Sequence, residues 1–253
     1  MSIPYFDYGG EGAPLHFLHA NGYPPECYKP LFELLKTRCR VFGMKLRPLW
    51  NGSNPEDLDT WHPLSDDLLR FLDSNPSGVE PPLIGVGHSV GGVVTLRAAL
   101  RDPQRFRALI LLDPVLFVPA TLTAWKIVRD LKLGYKFHPK IEGALKRRRV
   151  FDNLDLVFRG YRSREVFKYM NDESLRAYIS GIVKPKADGG FELAYSPEWE
   201  SRIYMTGLHD FDLWQGLPSL QIPALIIRGA ETDTFLENAA ELVKKKNPQI
   251  QVE

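Results

Sequence analysis

Ser89 stands at the centre of a Gly-His-Ser-Val-Gly pentapeptide, residues 87–91, where its hydroxyl could act as a nucleophile. A serine hydroxyl is protonated at neutral pH, so it attacks a carbonyl only when a base removes its proton. Histidine titrates near neutral pH and suits that task, and a carboxylate is needed to orient the imidazole. Two N–H donors must then stabilise the oxyanion of the tetrahedral intermediate. Acyl transfer from Ser89 therefore calls for a base, an acid and two such donors.

The segments around Ser89 predict a tight strand-to-helix corner. The apolar run 83–88 follows two prolines and is typical of a buried strand, and residues 90–100 carry Val, Leu and Ala at helical spacing. A reversal this tight places the serine in a strained backbone conformation and needs small residues on either side. We therefore interpret Ser89 as a nucleophile; a serine that only caps the helix is the alternative.

Strand and helix patterns alternate over much of the chain. A mostly parallel central sheet with helices on both faces follows from that alternation, which is an α/β fold. Residues 5–8 suit a short edge strand and residues 250–252 begin a last one. Buried strands are predicted at 15–19, 40–44, 83–88, 107–114 and 222–228, and helices at 28–36, 63–72, 90–100 and 235–246.

The alternation breaks after Pro119. Residues 121–214 contain no buried-strand run, only charged and aromatic helical patterns, with a turn or small hairpin at 186–193. We expect a first core part at 1–119, a helical lid insertion at 120–214 over the carboxyl ends of the strands, and a second core part at 215–253. The basic run 146–149 lies in this insertion; a solvated helix face explains it most simply, and contact with an anionic substrate or partner is the alternative.

Composition excludes several classes of protein. The 253 residues carry a net charge of +1, which argues against nucleic acid as a partner. Two cysteines are too few for a disulfide framework, no cluster of residues has metal-ligand spacing, and no phosphate-loop lysine follows the glycines. No signal peptide or bilayer-length apolar run is evident. We expect a soluble cytoplasmic protein without membrane span, metal or organic cofactor.

From about Leu15 to its end, the chain resembles the α/β-hydrolase fold family, in particular its capped, esterase- and lipase-like serine hydrolases. The motifs are the 87–91 pentapeptide, the His-Ala-Asn-Gly loop 19–22 in place of the family's His-Gly oxyanion loop, and residues 229–233 after the penultimate strand. The resemblance implies Ser89 as nucleophile, Asp233 as acid, and the N–H groups of Val90 and Asn21 as the oxyanion hole. Ala20 stands where the family has glycine.

The acid has two candidates. Asp233 follows a predicted strand beside the elbow, but Asp and Thr before a helix are also common capping residues, and Thr234 and Glu237 have capping-box spacing. Asp113 is the alternative acid, because some relatives place theirs after the preceding strand. With Pro114 behind it, Asp113 could equally be an ordinary turn residue.

The base is not evident in the sequence. The family order is Ser, acid, His, yet no histidine follows His209. His19 and His88 flank the expected site, where His19 is more typical of a structural hydrogen bond and the position of His88 normally points away from substrate. No motif surrounds His62, His138 or His209. We expect the natural protein to continue beyond Glu253 with the histidine and a final helix, and the chain as printed to be hydrolytically weak.

The function predicted is a serine hydrolase that cleaves a carboxylic ester, or an amide or thioester, through an acyl-enzyme on Ser89. Aromatic residues in the lid suggest a largely apolar small-molecule substrate. Serine at the nucleophile position argues against a dehalogenase or epoxide hydrolase, which in this family use aspartate there. A catalytically inactive binding or regulatory protein on the same scaffold, or an acyltransferase, are the alternatives.

Overall fold

A computed structural model describes residues 2–131, 133–134 and 138–253. Its main sheet has seven strands in the order β1-β3-β2-β4-β5-β9-β10, all parallel except for β1, which pairs antiparallel with β3. The mostly parallel sheet is therefore confirmed. The strands are β1 Tyr5–Gly9, β2 Ala13–Leu18, β3 Cys39–Met44, β4 Leu83–His88, β5 Phe106–Leu112, β6 Val150–Phe151, β7 Val183–Pro185, β8 Phe191–Leu193, β9 Ala224–Ile227 and β10 Gln251–Val252.

Helices connect the parallel strands. The α-helices of the described residues are α1 Lys29–Leu35, α2 His62–Ser74, α3 Val90–Arg101, α4 Pro119–Asp130, α5 Pro139–Leu145, α6 Leu154–Arg162, α7 Asp172–Ile182, α8 Pro197–Met205, α9 Phe211–Gly216 and α10 Glu237–Lys246. Short 3₁₀ helices occupy Pro25–Tyr28, Arg47–Leu49, Pro55–Asp57, Pro103–Arg105, Glu165–Phe167 and Leu217–Ser219. Within these described ranges, no helix combines the length and apolarity needed to cross a bilayer.

Side chains alternate between two apolar clusters, one on each face of the sheet. Leu109 and Leu111 of β5 belong to the larger cluster, with residues of α2 and α3. Ile110 and Leu112 point the other way and pack with Phe32 of α1. Burying a leucine side chain stabilises the fold by about 1.5–3 kcal/mol. Burial on both faces explains why the strands appear in the sequence as continuous apolar runs.

The insertion between β5 and β9 carries helices α4 to α9 and a small antiparallel sheet of order β6-β8-β7. Besides the predicted helices, three short and only partly buried strands pair there. Strands β7 and β8 confirm the suggested hairpin. This sheet packs on a cluster that includes Leu175 and Ile179 of α7. Helix α4 begins at Pro119, and the expected boundary at 214 falls inside α9.

A buried ion pair fixes the returning end of the insertion to the nucleophile helix. Arg97 of α3 is almost fully buried, and its Nη2 donates to Asp210 Oδ1 at 2.5 Å. Its Nε donates to Asp212 Oδ2 at 2.7 Å. Separating the two charges would leave one of them buried without a partner, which is strongly destabilising. The contact therefore holds α9 at a defined position against α3.

Candidate active site

Ser89 has the strained backbone that its sequence context predicts, with φ 55° and ψ −119°. Its N–H donates to the carbonyl of Leu112 at 2.9 Å, which ties the corner to β5. A Cβ on Gly87 would lie 2.3 Å from the carbonyl oxygen of Gly91, and one on Gly91 would lie 2.2 Å from that of Leu18. Only glycine fits at either position, so these two residues permit the close strand-to-helix approach that presents the serine.

The Ser89 corner lines a cavity of about 720 Å³, between the carboxyl ends of the strands and the insertion. Asn21 and Asp113 belong to its sheet side, and Tyr178 and Tyr204 to the insertion. We call this space the serine pocket. Its size suits a small organic substrate.

Two residues of the serine pocket have backbone N–H groups that lack an acceptor among the described residues. Asn21 and Val90 both line the serine pocket, and neither N–H donates to another group among the described residues. The Asn21 side chain is held from the insertion, since its Nδ2 donates to the Glu200 carbonyl at 3.0 Å. Free N–H groups near the nucleophile are what an oxyanion hole requires.

Tyr28 links the oxyanion loop, residues 19–22, to the elbow, and sequence reasoning did not single it out. Its hydroxyl accepts the N–H of Ala20 at 3.1 Å and lies 2.7 Å from His88 Nδ1. Because the hydroxyl accepts from the amide, it is free to donate to Nδ1. Burial lowers the pKa of His88 to about 4, so the ring is neutral at neutral pH. His88 thus lies at the pocket wall with one ring nitrogen already engaged.

His19 is structural, as expected. Its Nε2 accepts the N–H of Leu46 at 3.0 Å, so Nδ1 carries the proton and donates to the carbonyl of Ala20 at 2.9 Å. Burial lowers the pKa of His19 to about 4. With both nitrogens engaged and no exposure to solvent, His19 cannot accept a proton from Ser89 without breaking this arrangement.

The described structure places no histidine in a hydrogen bond with Ser89. His138 of the insertion lines the serine pocket, packed against the rings of Trp125 and Tyr204. His62 lies 3.4 Å from Asp212, away from the pocket. His209 Nε2 and His16 Nδ1 are buried without a partner among the described residues.

Asp113 is held in place by three donors. It follows β5 directly and has a positive φ of 42°. Its Oδ2 accepts the hydroxyls of Thr232 and Thr234 at 2.8 and 3.1 Å, and its Oδ1 accepts the N–H of Gly229 at 3.2 Å. A non-glycine residue at positive φ carries strain, which the surrounding contacts must offset. The β9 loop thereby fixes the Asp113 carboxylate at the edge of the serine pocket.

Asp233 also borders the serine pocket, but its side chain is 71% exposed and paired with Lys140 at 2.8 Å. The predicted capping box beside it is wrong. Helix α10 begins at Glu237 with no side-chain cap, because the Thr234 hydroxyl donates to Asp113 instead. Thr234 is thus part of the surroundings of Asp113, whereas Glu237 pairs with Arg228.

The insertion contributes charge to the serine pocket through Arg147 and Glu200, which form an ion pair. The expectation of a helix face over 146–149 is wrong, since α5 ends at Leu145 and the basic run forms the turn before β6. Over residues 2–131, 133–134 and 138–253, no group of three or more His, Cys, Asp or Glu side chains could hold a metal ion.

Known proteins similar to this chain include acyl-CoA thioesterases. The chain is 32% identical over 111 residues to the type I acyl-CoA thioesterase mpaH' of Penicillium brevicompactum, which covers 39% of this chain and 25% of that protein. The mpaH thioesterase of Penicillium roqueforti is 31% identical over the same length. The matched segment spans about a quarter of the length of these relatives.

Solved structures match over nearly the whole chain. E-2-(acetamidomethylene)succinate hydrolase superposes with a TM-score of 0.75 at 19% identity, covering 99% of this chain and 85% of that one. The thioesterase domain from the curacin biosynthetic pathway gives 0.73 at 15% identity, covering 98% and 86%. At these identities the likeness shows the fold. The family model described as the alpha/beta hydrolase family matches residues 17–253, from β2 through the elbow to β10, and the chain therefore belongs to that family.

Proposed function

We propose that this hydrolase cleaves carboxylic esters or thioesters through an acyl-enzyme on Ser89. The observation that carries the proposal is the strained Ser89 corner, which borders a pocket beside the free N–H groups of Asn21 and Val90. In this mechanism the Ser89 oxygen bonds to the substrate carbonyl carbon and its proton passes to a base. The oxyanion accepts hydrogen bonds from the two N–H groups, and each is worth about 3 kcal/mol of barrier. The leaving group departs with the proton, and water then hydrolyses the acyl-enzyme.

For the acid we favour Asp113 over Asp233. A triad carboxylate must be held in one orientation so that it fixes the imidazole and stabilises its charged form. Three donors fix Asp113, whereas Asp233 is mostly exposed and paired with a lysine. Both carboxylates border the serine pocket. Substituting Asp113 and Asp233 one at a time and measuring hydrolysis shows which of them acts as the acid.

For the base we propose a histidine, as the family order Ser, acid, His implies. His138 is the candidate to test first, since it borders the serine pocket from the insertion. If the His138→Ala protein hydrolysed its substrate at the normal rate, His138 would not be the base.

The substrate we propose is a small molecule with a largely apolar acyl group. Phe117, Val115 and Ile203 border the serine pocket together with the ring of Trp61, which supports an apolar acyl side. The thioester option is supported by the names of the fungal relatives.

A reducing cytoplasmic location belongs to the same proposal, since Cys27 and Cys39 carry free thiols. Cell fractionation tests this location.

Labelling with a fluorophosphonate tests the proposal. The full-length protein is expected to gain one adduct, located on Ser89 by peptide mapping, and Ser89→Ala is expected to gain none. Absence of an adduct on Ser89 in the folded protein would favour an inactive binding protein on this scaffold. An acyltransferase would label in the same way but would transfer its acyl group to an added alcohol in preference to water.

A further inference from the structure

A second cavity, of about 430 Å³, adjoins the serine pocket inside the insertion. The two spaces share Gly143, Arg147, Tyr161 and Arg164 as lining residues, so they are adjacent at these four residues. We call the second cavity the basic groove, because its charged lining residues are Lys146, Arg147, Arg148 and Arg164 against the single acid Asp152.

The positive charge of the basic groove is only partly neutralised. The guanidinium of Arg164 lies 4.4 Å from the centre of the Tyr161 ring and forms no ion pair with a described residue. Arg148 reaches Asp152 at 3.4 Å and Lys146 pairs with Glu142, and both of these pairs are exposed. A surface pair of this kind contributes little, so the groove keeps an excess of positive charge near its opening.

Arg147 lies where the two cavities meet, and it has an unused donor. Its Nη1 donates to Glu200, while its Nη2 is buried and has no partner among the described residues. A buried donor without an acceptor is costly, and an anionic ligand oxygen would satisfy it. Arg147 is therefore suited to contact a ligand that extends through the junction.

Two glycines leave room along the groove. A Cβ added at Gly143 or at Gly160 would meet no atom within 4 Å. Gly143 borders both cavities and Gly160 borders the groove alone. Space is therefore open beside the backbone at both positions.

We propose that the basic groove binds the phosphate groups of a CoA thioester whose carbonyl lies at Ser89. The assignment rests on the proposed function at Ser89, and it names the substrate class. CoA carries its phosphates at the far end of a long neutral arm from the thioester, so it needs a cationic site that is separate from the nucleophile but connected to it. In turnover the Ser89 oxygen bonds to the acyl carbon, the C–S bond breaks, and CoA leaves as a thiol after taking the proton from the base. Water then releases the acid.

Binding of CoA itself is the direct test. The Ser89→Ala protein is titrated with CoA by calorimetry, alone and with the double substitution Lys146→Glu and Arg148→Glu. Arg149→Glu is the matched control, because Arg149 lies in the same basic run but is exposed, pairs with Glu198 and borders neither cavity. Two reversed charges are expected to weaken CoA binding at least tenfold, while Arg149→Glu changes it less than about twofold.

A comparison of substrates separates this proposal from the one at Ser89. In the full-length protein, the double substitution is expected to lower the ratio of kcat/KM for an acyl-CoA over the same acyl N-acetylcysteamine thioester by about tenfold or more. If CoA does not bind, or binds the double variant as tightly as the Arg149→Glu protein, the groove assignment is overturned, while hydrolysis of the short thioester would still support the proposed function. If the double substitution lowers kcat/KM only for short thioesters whose acyl group carries a carboxylate, the groove binds the acyl group. The assignment to CoA is then likewise overturned. If CoA binds but no thioester is hydrolysed, the groove assignment stands and the proposed hydrolysis at Ser89 is overturned.

Discussion

Asn substitutions at the two candidate acids give a sharp prediction. An amide cannot stabilise a charged imidazole, and loss of this role in a serine triad lowers kcat by about 10⁴, equivalent to about 5 kcal/mol of barrier. Asp113→Asn is expected to show a loss of this order. Asp233→Asn removes only an exposed pair with Lys140, worth below about 1 kcal/mol, and is expected to lower kcat less than threefold.

The surroundings of Asp113 allow the Asn variant to fold. The new amide can keep its oxygen toward the N–H of Gly229 and turn its NH₂ toward Thr232 and Thr234, whose hydroxyls can rotate to accept. We expect a stability loss of about 1 kcal/mol, measured by urea denaturation beside steady-state hydrolysis of a p-nitrophenyl ester by the full-length protein. A 10³-fold loss in Asp233→Asn with nearly normal activity in Asp113→Asn would refute the reasoning.

Three further substitutions and one change of pH test the architecture around the site. Tyr28→Phe removes the hydroxyl that accepts the buried N–H of Ala20 and contacts His88. We expect kcat to fall about tenfold with little change in KM. Unchanged kinetics would argue against this link. Gly91→Ala brings a Cβ to 2.2 Å from a carbonyl oxygen of β2, and we expect the free energy of unfolding to fall by about 1–3 kcal/mol or more. Gly143→Ala, with open space around it, is expected to keep or raise the Tm. Burial lowers the pKa of His16 to about 3 and that of His19 to about 4, so the unfolded chain binds more protons than the folded one below pH 6.5. Stability should therefore be full above pH 6.5 and fall as the pH drops toward 4, by up to about 1.4 kcal/mol per pH unit for each histidine; equal urea midpoints at pH 7 and pH 5 would contradict this.

The elbow and the strands were predictable because their causes are local. Apolar runs buried on both faces and the glycines beside Ser89 leave their pattern within a few residues of sequence. The preference between Asp113 and Asp233 was not predictable in this way. Thr234 has the spacing of a helix cap, and only the pairing of β5 with β9 brings its hydroxyl to Asp113 instead.

Two other features depend on contacts that the sequence does not encode locally. Tyr28 and His88 are 60 residues apart and meet only because β2 lies beside β4. The basic groove draws on the 146–148 turn and on Arg164, which follows a different helix. The run of basic residues was visible in the sequence, but its arrangement around a cavity required the packing of the insertion.

Peptide mapping during turnover tests the central claim most directly. The full-length protein is mixed with a substrate whose acyl-enzyme hydrolyses slowly, then quenched in acid and digested. The mass of the peptide that contains Ser89 is measured by mass spectrometry. A serine acyl-enzyme predicts that this peptide gains the mass of the acyl group, and that the adduct disappears as substrate is consumed. Product formation with no acylated Ser89, or with the acyl group on another residue, would contradict the account.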